Sequence, residues 1–145
     1  LGLTLLFVGF IGFERQRKHK IAGLTTHILV ALGAFGVTIV QEYMVQDAIE
    51  FIRANPELAG SIVVQRQRII AQIITGVGFL GAGAILKTNG YVSGLTTASS
   101  LWISAIIGII FASGYYMLGI IVSLTAVIVL TLIKRVFKNS YQSTN

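Results

Sequence analysis

The chain has 145 residues and a net charge of +6; 54% of its residues are hydrophobic and only 11% are charged. Soluble domains carry roughly 25% charged residues, so this chain lacks the polar surface that a water-soluble protein needs on all sides. It has no cysteine, which excludes a disulfide framework, a thiol nucleophile and a thiolate metal site.

Long stretches without charged side chains predict membrane-spanning helices. Residues 88–133 contain no Asp, Glu, Lys, Arg or His, which is enough for two helices of about 20 apolar residues and a turn. The predicted fold class is an all-α polytopic membrane protein with about five transmembrane helices. The predicted spans are 1–13, 24–40, 68–86, 95–111 and 115–133. They form a single transmembrane domain, 1–138, followed by a polar tail, 139–145. The first span is short, so we expect its helix to begin upstream of Leu1.

The segment 42–67 differs from the predicted spans. Val45, Ala48, Ile49 and Ile52 recur at helical spacing, with charged residues on the opposite face, as is typical of an amphipathic helix. The segment either lies on the outer membrane surface or continues the second helix. Asn55-Pro56 is expected to break it.

Basic residues are distributed unevenly between the two sides of this topology. Eight basic residues and one acidic residue lie on the side that holds the first loop, the turn after the third span and the C-terminus. The opposite side carries three basic and four acidic residues. The positive-inside rule therefore predicts an external N-terminus and a cytoplasmic C-terminus. No basic patch is interleaved with aromatic residues, so the expected partner is the lipid bilayer and not nucleic acid.

Two pairs of matching tetrapeptides predict an internal repeat. Gly9-Phe10-Ile11-Gly12 resembles Gly78-Phe79-Leu80-Gly81, and Gly23-Leu24-Thr25-Thr26 recurs as Gly94-Leu95-Thr96-Thr97. Helices one–two and three–four are therefore predicted to be parallel copies of one hairpin, related by a pseudo-twofold axis along the membrane normal.

The glycines of the third span contain the pattern GxGxxG. A dinucleotide site is excluded, because the pattern lies within an apolar span and no acidic residue follows at the required distance. Two interpretations remain open: close helix packing, or local unwinding that presents carbonyl groups to an ion. The candidate packing or pore glycines are Gly9, Gly12, Gly76, Gly78, Gly81 and Gly83.

Seven polar side chains are candidate functional positions: Glu14, Thr26, His27, Arg68, Gln72, Asn89 and Thr97. The two threonines begin helices, where they either cap backbone N–H groups or hold a phosphate beside nearby lysines. His27 either bonds a neighbouring helix or acts as a ligand, and Glu14 either neutralises adjacent basic side chains or has a functional role. Arg68, on one face with Gln72, either extends to the outer interface or pairs inward with Glu42. Asn89 belongs to an Asn-Gly turn.

The chain shows no nucleophile, base and acid set, so no enzyme activity is predicted and no cofactor is implied. The spans also lack the central carboxylates that a dedicated magnesium path would use. On the fifth span, Gly119, Ser123 and Ala126 form a small-residue face, which favours a homo-oligomer.

Three motifs in chain order resemble one protein family. They are Glu14-Arg15 with Ala22-Gly23-Leu24-x-Thr26-His27-Ile28-Leu29, then Arg68-Ile69-x-Ala71-Gln72-Ile73-x-x-Gly76-x-Gly78-Phe79-Leu80-Gly81, then Gly94-Leu95-Thr96-Thr97-Ala98-x-x-Leu101-Trp102. Together they resemble the MgtC/SapB family of bacterial inner-membrane proteins. The chain stops after the fifth span, so it resembles the short form of that family, without the C-terminal soluble domain.

The resemblance implies a multi-pass protein of the bacterial inner membrane, from a family named for growth under magnesium limitation. Some family members are associated with restraint of the membrane ATP synthase, which makes such complexes expected partners. The predicted function is a regulator or adaptor, linked to low-magnesium growth and membrane energetics through contacts with other membrane proteins. The alternative is a small channel or transporter for Mg²⁺ or monovalent cations, with a path along the glycine-rich third helix.

Overall fold

A computed structural model describes residues 1–58, 60, 65, 67–88 and 91–133. Over these residues the chain is predominantly helical, as predicted. The α-helices of the described part are α1 (Gly2–Arg17), α2 (Leu24–Ala54), α3 (Arg68–Gly83), α4 (Leu95–Ala112) and α5 (Tyr116–Ile128). The remaining elements are a 3-10 turn (Pro56–Leu58), strands β1 (Leu86–Thr88) and β2 (Tyr91–Ser93), and a π-helical turn (Val129–Ile133) that continues α5.

The second helix, α2, is uninterrupted over 31 residues and is therefore about 46 Å long. It contains the predicted span 24–40 and the first part of the segment 42–67, which is the continuation that the sequence left open. The helix ends before Asn55-Pro56, and the Asn55 side-chain amide donates a hydrogen bond of 2.9 Å to the carbonyl oxygen of Phe51. Proline disfavours helical geometry in the residue before it, so the sequence itself sets this end.

The connection between α3 and α4 is an antiparallel β-hairpin, where the sequence predicted only a turn. Leu86 pairs with Ser93, Lys87 with Val92 and Thr88 with Tyr91. Because the chain leaves the helix to enter β1, α3 ends at Gly83, short of the predicted boundary at residue 86. The candidate residue Asn89 lies outside the described residues.

The central element is α4, which packs against the other four helices. One apolar cluster joins it to α1, α2 and the end of α5 through Val8, Ile11, Ala31, Ile107, Phe111 and Leu130. A second cluster joins it to α2 and α3 through Ala34, Val77, Ala105 and Ile109. The position of α4 therefore determines where the faces of its neighbours meet.

Close contact between α4 and α2 depends on Gly108. A Cβ atom added there would lie 2.5 Å from the carbonyl oxygen of Ala31. That distance is well inside van der Waals contact, so a larger residue would push the two helices apart. Small residues at such crossings allow the backbones to pack closely.

The surface of the described helices is more apolar than that of a water-soluble domain. Large apolar side chains are exposed on the described helices, among them Phe10, Leu29, Phe79, Trp102 and Met117. Several polar side chains are buried instead. Soluble monomers rarely expose apolar surface on this scale. By length and composition, α2 and α4 are able to cross a membrane, whereas α3 and α5 are apolar but shorter.

The small-residue face of α5 is partly used within the chain. Gly119 packs against the ring of Phe111, where an added Cβ atom would lie 2.5 Å from the nearest ring carbon. Ser123 is fully buried. These two positions are therefore not available for contact with a second copy of the chain. The homo-oligomer stays a prediction, but Gly119 and Ser123 do not support it.

Candidate functional site

Buried polar side chains lie where α1, α2 and α4 meet. Arg15 on α1, His27 on α2 and Ser100 on α4 are each at most 1% exposed. Together with Glu14 we call them the polar junction. Polar groups buried in an apolar bundle are costly unless they are paired, and ionisable groups within membrane helices commonly mark functional sites.

His27 connects the start of α2 to the middle of α4. Its Nδ1 atom lies 2.7 Å from the carbonyl oxygen of Gly23, and its Nε2 atom lies 2.9 Å from the hydroxyl oxygen of Ser100. A carbonyl oxygen only accepts hydrogen bonds, so Nδ1 carries a proton. In the neutral ring Nε2 then accepts the hydroxyl proton of Ser100. Of the two roles left open for His27, the structure shows the bond between helices.

The hydroxyl of Ser100 has a second acceptor within reach. Its oxygen lies 2.9 Å from the carbonyl oxygen of Thr97, and the hydroxyl carries a single proton. Ser100 therefore donates either to the imidazole or to its own helix. If Nε2 were also protonated, it would donate to Ser100, whose proton would then turn to Thr97. Both arrangements leave every atom of this group hydrogen-bonded.

Gly12 brings α1 against the polar junction. A Cβ atom at Gly12 would lie 2.8 Å from the Cα atom of Leu24 and 3.1 Å from the Cβ atom of His27. One turn later the side-chain oxygen of Gln16 accepts a 3.1 Å hydrogen bond from the backbone N–H of Leu24. The first turn of α2 is thus capped from α1. The predicted capping by threonine is not found there: Gly23 is the N-cap residue, and Thr26 is exposed.

Arg15 is fully buried, although its neighbours in sequence form a basic loop. Its Nε atom donates to the Glu14 carboxylate at 2.5 Å, and the other oxygen of that carboxylate pairs with the Lys18 ammonium. The terminal nitrogens Nη1 and Nη2 have no hydrogen-bond partner among the described residues. The structure thus shows the neutralising contacts expected of Glu14, and it adds a buried guanidinium that is only partly paired.

The start of α4 is fixed by Gly94. Gly94 has a φ angle of +87°, and an added Cβ atom would lie 1.8 Å from the carbonyl oxygen of Ala84. No other residue fits this position without moving the backbone. The helix that follows carries Thr97, which is buried, unlike its counterpart Thr26 at the start of α2.

Three of the four glycines of α3 are exposed. Added Cβ atoms at Gly76, Gly78 and Gly83 would meet nothing within 4 Å, and the same holds for Gly9 on α1. Among the glycines of α3, Gly81 packs against another described helix, where a Cβ atom would lie 3.4 Å from the side chain of Ala98. Within this chain, therefore, only part of the glycine set packs as helix contacts.

Arg68 and Gln72 are exposed and lie apart from the polar junction. Near them, the side-chain oxygen of Gln41 accepts a 3.3 Å hydrogen bond from the backbone N–H of Ile70 and joins α2 to α3. Among the described residues no group of three or more His, Asp or Glu side chains is arranged to hold a metal ion. Of the candidate positions, Glu14 and His27 thus belong to the polar junction, and Arg68 and Gln72 lie on the exposed side of α3. Thr26 and Thr97 lie in the first turns of α2 and α4.

Two members of the polar junction were not predicted from the sequence. Thr97, Ser100 and Ser104 recur every three or four residues and form one polar stripe on an otherwise apolar helix, which was the available signal for Ser100. Arg15 offered no such signal, because its burial depends on how α1 is rotated against its neighbours.

Comparisons with known proteins give a consistent result. The MgtC family matches residues 1–139. YhiD of Escherichia coli (strain K12) is 41% identical over 128 residues, covering 88% of this chain and 56% of YhiD. Protein MgtC of Brucella abortus (strain 2308) is 40% identical over 111 residues (77% and 40%), and protein SapB of Bacillus subtilis (strain 168) is 38% identical over 117 residues (80% and 47%).

The chain spans about half the length of the curated relatives it matches. No solved structure matches it. Proteins of the matched family are membrane proteins, which agrees with the exposed apolar side chains and the two long apolar helices. Because the match covers nearly the whole chain and its relatives exceed one third identity, the protein belongs to the MgtC family.

Proposed function

We propose that this protein is a regulator or adaptor of the bacterial inner membrane that contacts other membrane proteins through the exposed side of α3. Five helices cross the bilayer, the N-terminus is outside and the C-terminus is cytoplasmic. Its role is linked to growth in low magnesium and to membrane energetics, and the membrane ATP synthase is one candidate partner.

The observation that supports this proposal is that no described residue lies within 4 Å of a Cβ atom added at Gly76, Gly78 or Gly83. A glycine inside a helix costs about 1 kcal/mol relative to alanine. No close packing against the described part of the chain offsets that cost at these three positions. A partner helix lying along Gly76 and Gly83, which are seven residues apart and share one side of α3, would offset it there, because small residues let two backbones approach and gain van der Waals contact.

The five-span topology is supported by pairs of positions in the two proposed repeats. Val8 and Val77 are both buried, as are Ala34 and Ala105. The glycines also correspond: Gly12 approaches His27, and Gly81 approaches Ala98, which holds the equivalent place after the second Gly-Leu-Thr-Thr motif. A repeat in parallel orientation places α1 and α3 in the same direction across the bilayer.

Transport is the competing function. The name given to YhiD suggests a magnesium transporter, and an open glycine face is also what a path between two copies would require. Purified protein in liposomes tests this directly. The adaptor proposal expects no flux of Mg²⁺ or monovalent cations above empty liposomes. Saturable flux that Gly78→Leu abolishes would replace it with a channel or transporter.

Contact through α3 is tested by photo-crosslinking in native membranes. Phe79 is 81% exposed beside Gly78, and Phe10 is 62% exposed at the matching position of α1. A photoreactive phenylalanine analogue at position 79 is expected to yield a discrete protein adduct, identified by mass spectrometry. The same analogue at position 10 is the matched control and is expected to react with lipid.

Two results would reject contact through α3. One is the absence of any protein adduct at position 79. The other is the same set of adducts at both positions, which would mean random collision and not a specific face. A second copy of this chain as the adduct would make α3 an oligomer surface and would support the homo-oligomer instead of the adaptor.

A further inference from the structure

The polar junction contains an unbalanced positive charge. Arg15 and Lys18 share the single carboxylate of Glu14, and the terminal nitrogens of the fully buried Arg15 find no acceptor among the described residues. A water molecule beside these terminal nitrogens would leave the positive charge of the Arg15 guanidinium uncompensated. A buried, half-paired ion of this kind is strongly unfavourable, so an additional acceptor is expected.

The missing acceptor is an anion with at least two oxygens. The two terminal nitrogens of a guanidinium form a planar fork that matches a phosphate or a carboxylate. Arg17, Lys18 and Lys20 follow within one turn and the adjoining loop, so the surrounding charge also favours a negative ligand.

The position of Arg15 along α1 indicates which anion is available to it. Arg15 lies in the last turn of the 16-residue α1, which is about 24 Å long. If α1 crosses the bilayer, which is the only part of the proposed function used here, the guanidinium lies close to the cytoplasmic headgroups. Phospholipid phosphate is an abundant anion at that depth, and anionic lipids are enriched on that face.

An apolar groove lies next to the polar junction. It runs between α4 and α5, has a volume of about 380 Å³ and is lined by Ser100, Ile103, Ile121, Val122 and Leu130, among others. That volume is within the range of ligand pockets. Leu130 also lines the narrow crevice beside Ile11 and Glu14 on α1, so the groove and this crevice meet at Leu130.

The backbone at Leu130 is suited to opening. Leu130 belongs to the π-helical turn Val129–Ile133, and short π-helical segments are rare and frequently found at functional sites. A displacement of this turn away from α1 would join the groove to the crevice beside Glu14, the carboxylate that pairs with Arg15.

We propose that this chain binds an anionic glycerophospholipid, with an acyl chain in the groove between α4 and α5 and the phosphate on the terminal nitrogens of Arg15. Leu130 moves aside when the lipid binds. The phosphate completes the pairing of Arg15, so the lipid holds α5 against α1 on the cytoplasmic side.

The test compares phosphatidylglycerol with phosphatidylcholine of the same acyl chains. Purified full-length chain in detergent is titrated with each lipid, and native mass spectrometry counts the bound molecules. One phosphatidylglycerol per chain is expected, bound about tenfold more tightly than phosphatidylcholine. Equal affinity for both lipids, or displacement of phosphatidylglycerol by millimolar inorganic phosphate, would overturn the proposal.

Matched variants separate a site from general charge attraction. Arg15→Gln is expected to remove the preference for phosphatidylglycerol, while Arg17→Gln, an equal loss of charge at an exposed position, keeps it. Ile121→Trp fills the groove and is expected to lower the binding affinity for both lipids. Leu124→Trp lies outside the groove on the same helix and is expected to leave both affinities unchanged. An equal loss in Arg17→Gln and Arg15→Gln would refute the site.

Two further outcomes remain decisive. If Arg15→Gln does not fold, Arg15→Lys keeps the charge without the planar fork and is expected to lower the lipid preference, and the tryptophan pair still tests the groove. If lipid binding fails while the adduct at position 79 persists, the proposed contact through α3 stands without the lipid. A crosslinked protein adduct that requires Arg15 would assign the acceptor to a partner carboxylate and reject the lipid.

Discussion

The imidazole Nε2 atom of His27 lies 2.9 Å from the hydroxyl oxygen of Ser100, and this hydrogen bond joins α2 to α4 across 73 residues of sequence. Hydrogen bonds between membrane helices contribute about 0.6 kcal/mol on average and up to about 1.7 kcal/mol. We expect Ser100→Ala to lower the free energy of unfolding by about 1 kcal/mol, because it leaves Nε2 without its partner. Thermal or detergent-induced unfolding followed by circular dichroism measures the change.

The neighbouring Ser99 provides the control. Its hydroxyl is exposed and donates to the carbonyl oxygen of Leu95 within α4, so Ser99→Ala should change stability by less than about 0.5 kcal/mol. A double-mutant cycle with His27→Ala isolates the pair. A coupling energy of zero would mean that the contact contributes nothing to the junction of the two helices.

Alanine substitutions at Gly94 and Gly114 distinguish the cost of backbone strain from the cost of steric overlap. Both have positive φ angles, +87° and +81°, but only Gly94 lies against backbone atoms of Ala84 and Ile85. Gly114→Ala should cost about 1 kcal/mol of left-handed strain. Gly94→Ala adds an overlap with rigid backbone and should cost about 3 kcal/mol or more. The two melting temperatures, measured in one detergent, report the difference, and equal losses would contradict the assigned position of Ala84.

The helical framework was largely predictable because its signals are local. Charge-free apolar runs indicate the helices, and Pro56 indicates where α2 ends. The hairpin of β1 and β2 was not predictable, because strands of three residues are too short to show an alternating pattern. The prediction also ended the second span at residue 40, because a membrane span is expected to have about 20 residues. Nothing in the sequence interrupts α2 there.

The candidate site was less predictable because it depends on helix rotation. His27 is marked by its isolation as a polar residue in an apolar run. The burial of Arg15 and the openness of Gly78 depend instead on which face of α1 or α3 turns toward α4. Glycine contributes little to an apolar face, so a row of glycines does not reveal which way it points. Only the packed arrangement of the helices shows this.

Gly108 and Gly33 are expected to respond to alanine with opposite signs. Gly108 approaches the Ala31 carbonyl oxygen, so Gly108→Ala forces α2 and α4 apart and should cost about 1–3 kcal/mol. Gly33 lies on α2 with nothing within 4 Å of an added Cβ atom, so Gly33→Ala should gain about 0.5–1 kcal/mol from its higher helix propensity. Unfolding of both variants under one condition checks the pair. Destabilisation of similar size by both would show that the close contact at Gly108 is absent.

Gly78→Leu should separate folding from partner contact. None of the described residues occupies the space beside Gly78, so leucine there should leave stability within about 0.5 kcal/mol of the unmodified chain. The same side chain would block a partner helix from approaching α3, so the adduct formed by the photoreactive analogue at position 79 should disappear. Gly9→Leu places an equal side chain at the matching open position of α1 and should leave that adduct unchanged. Persistence of the adduct in Gly78→Leu would mean that the partner reaches α3 without approaching Gly78, and its loss in both variants would point to a general effect of added bulk.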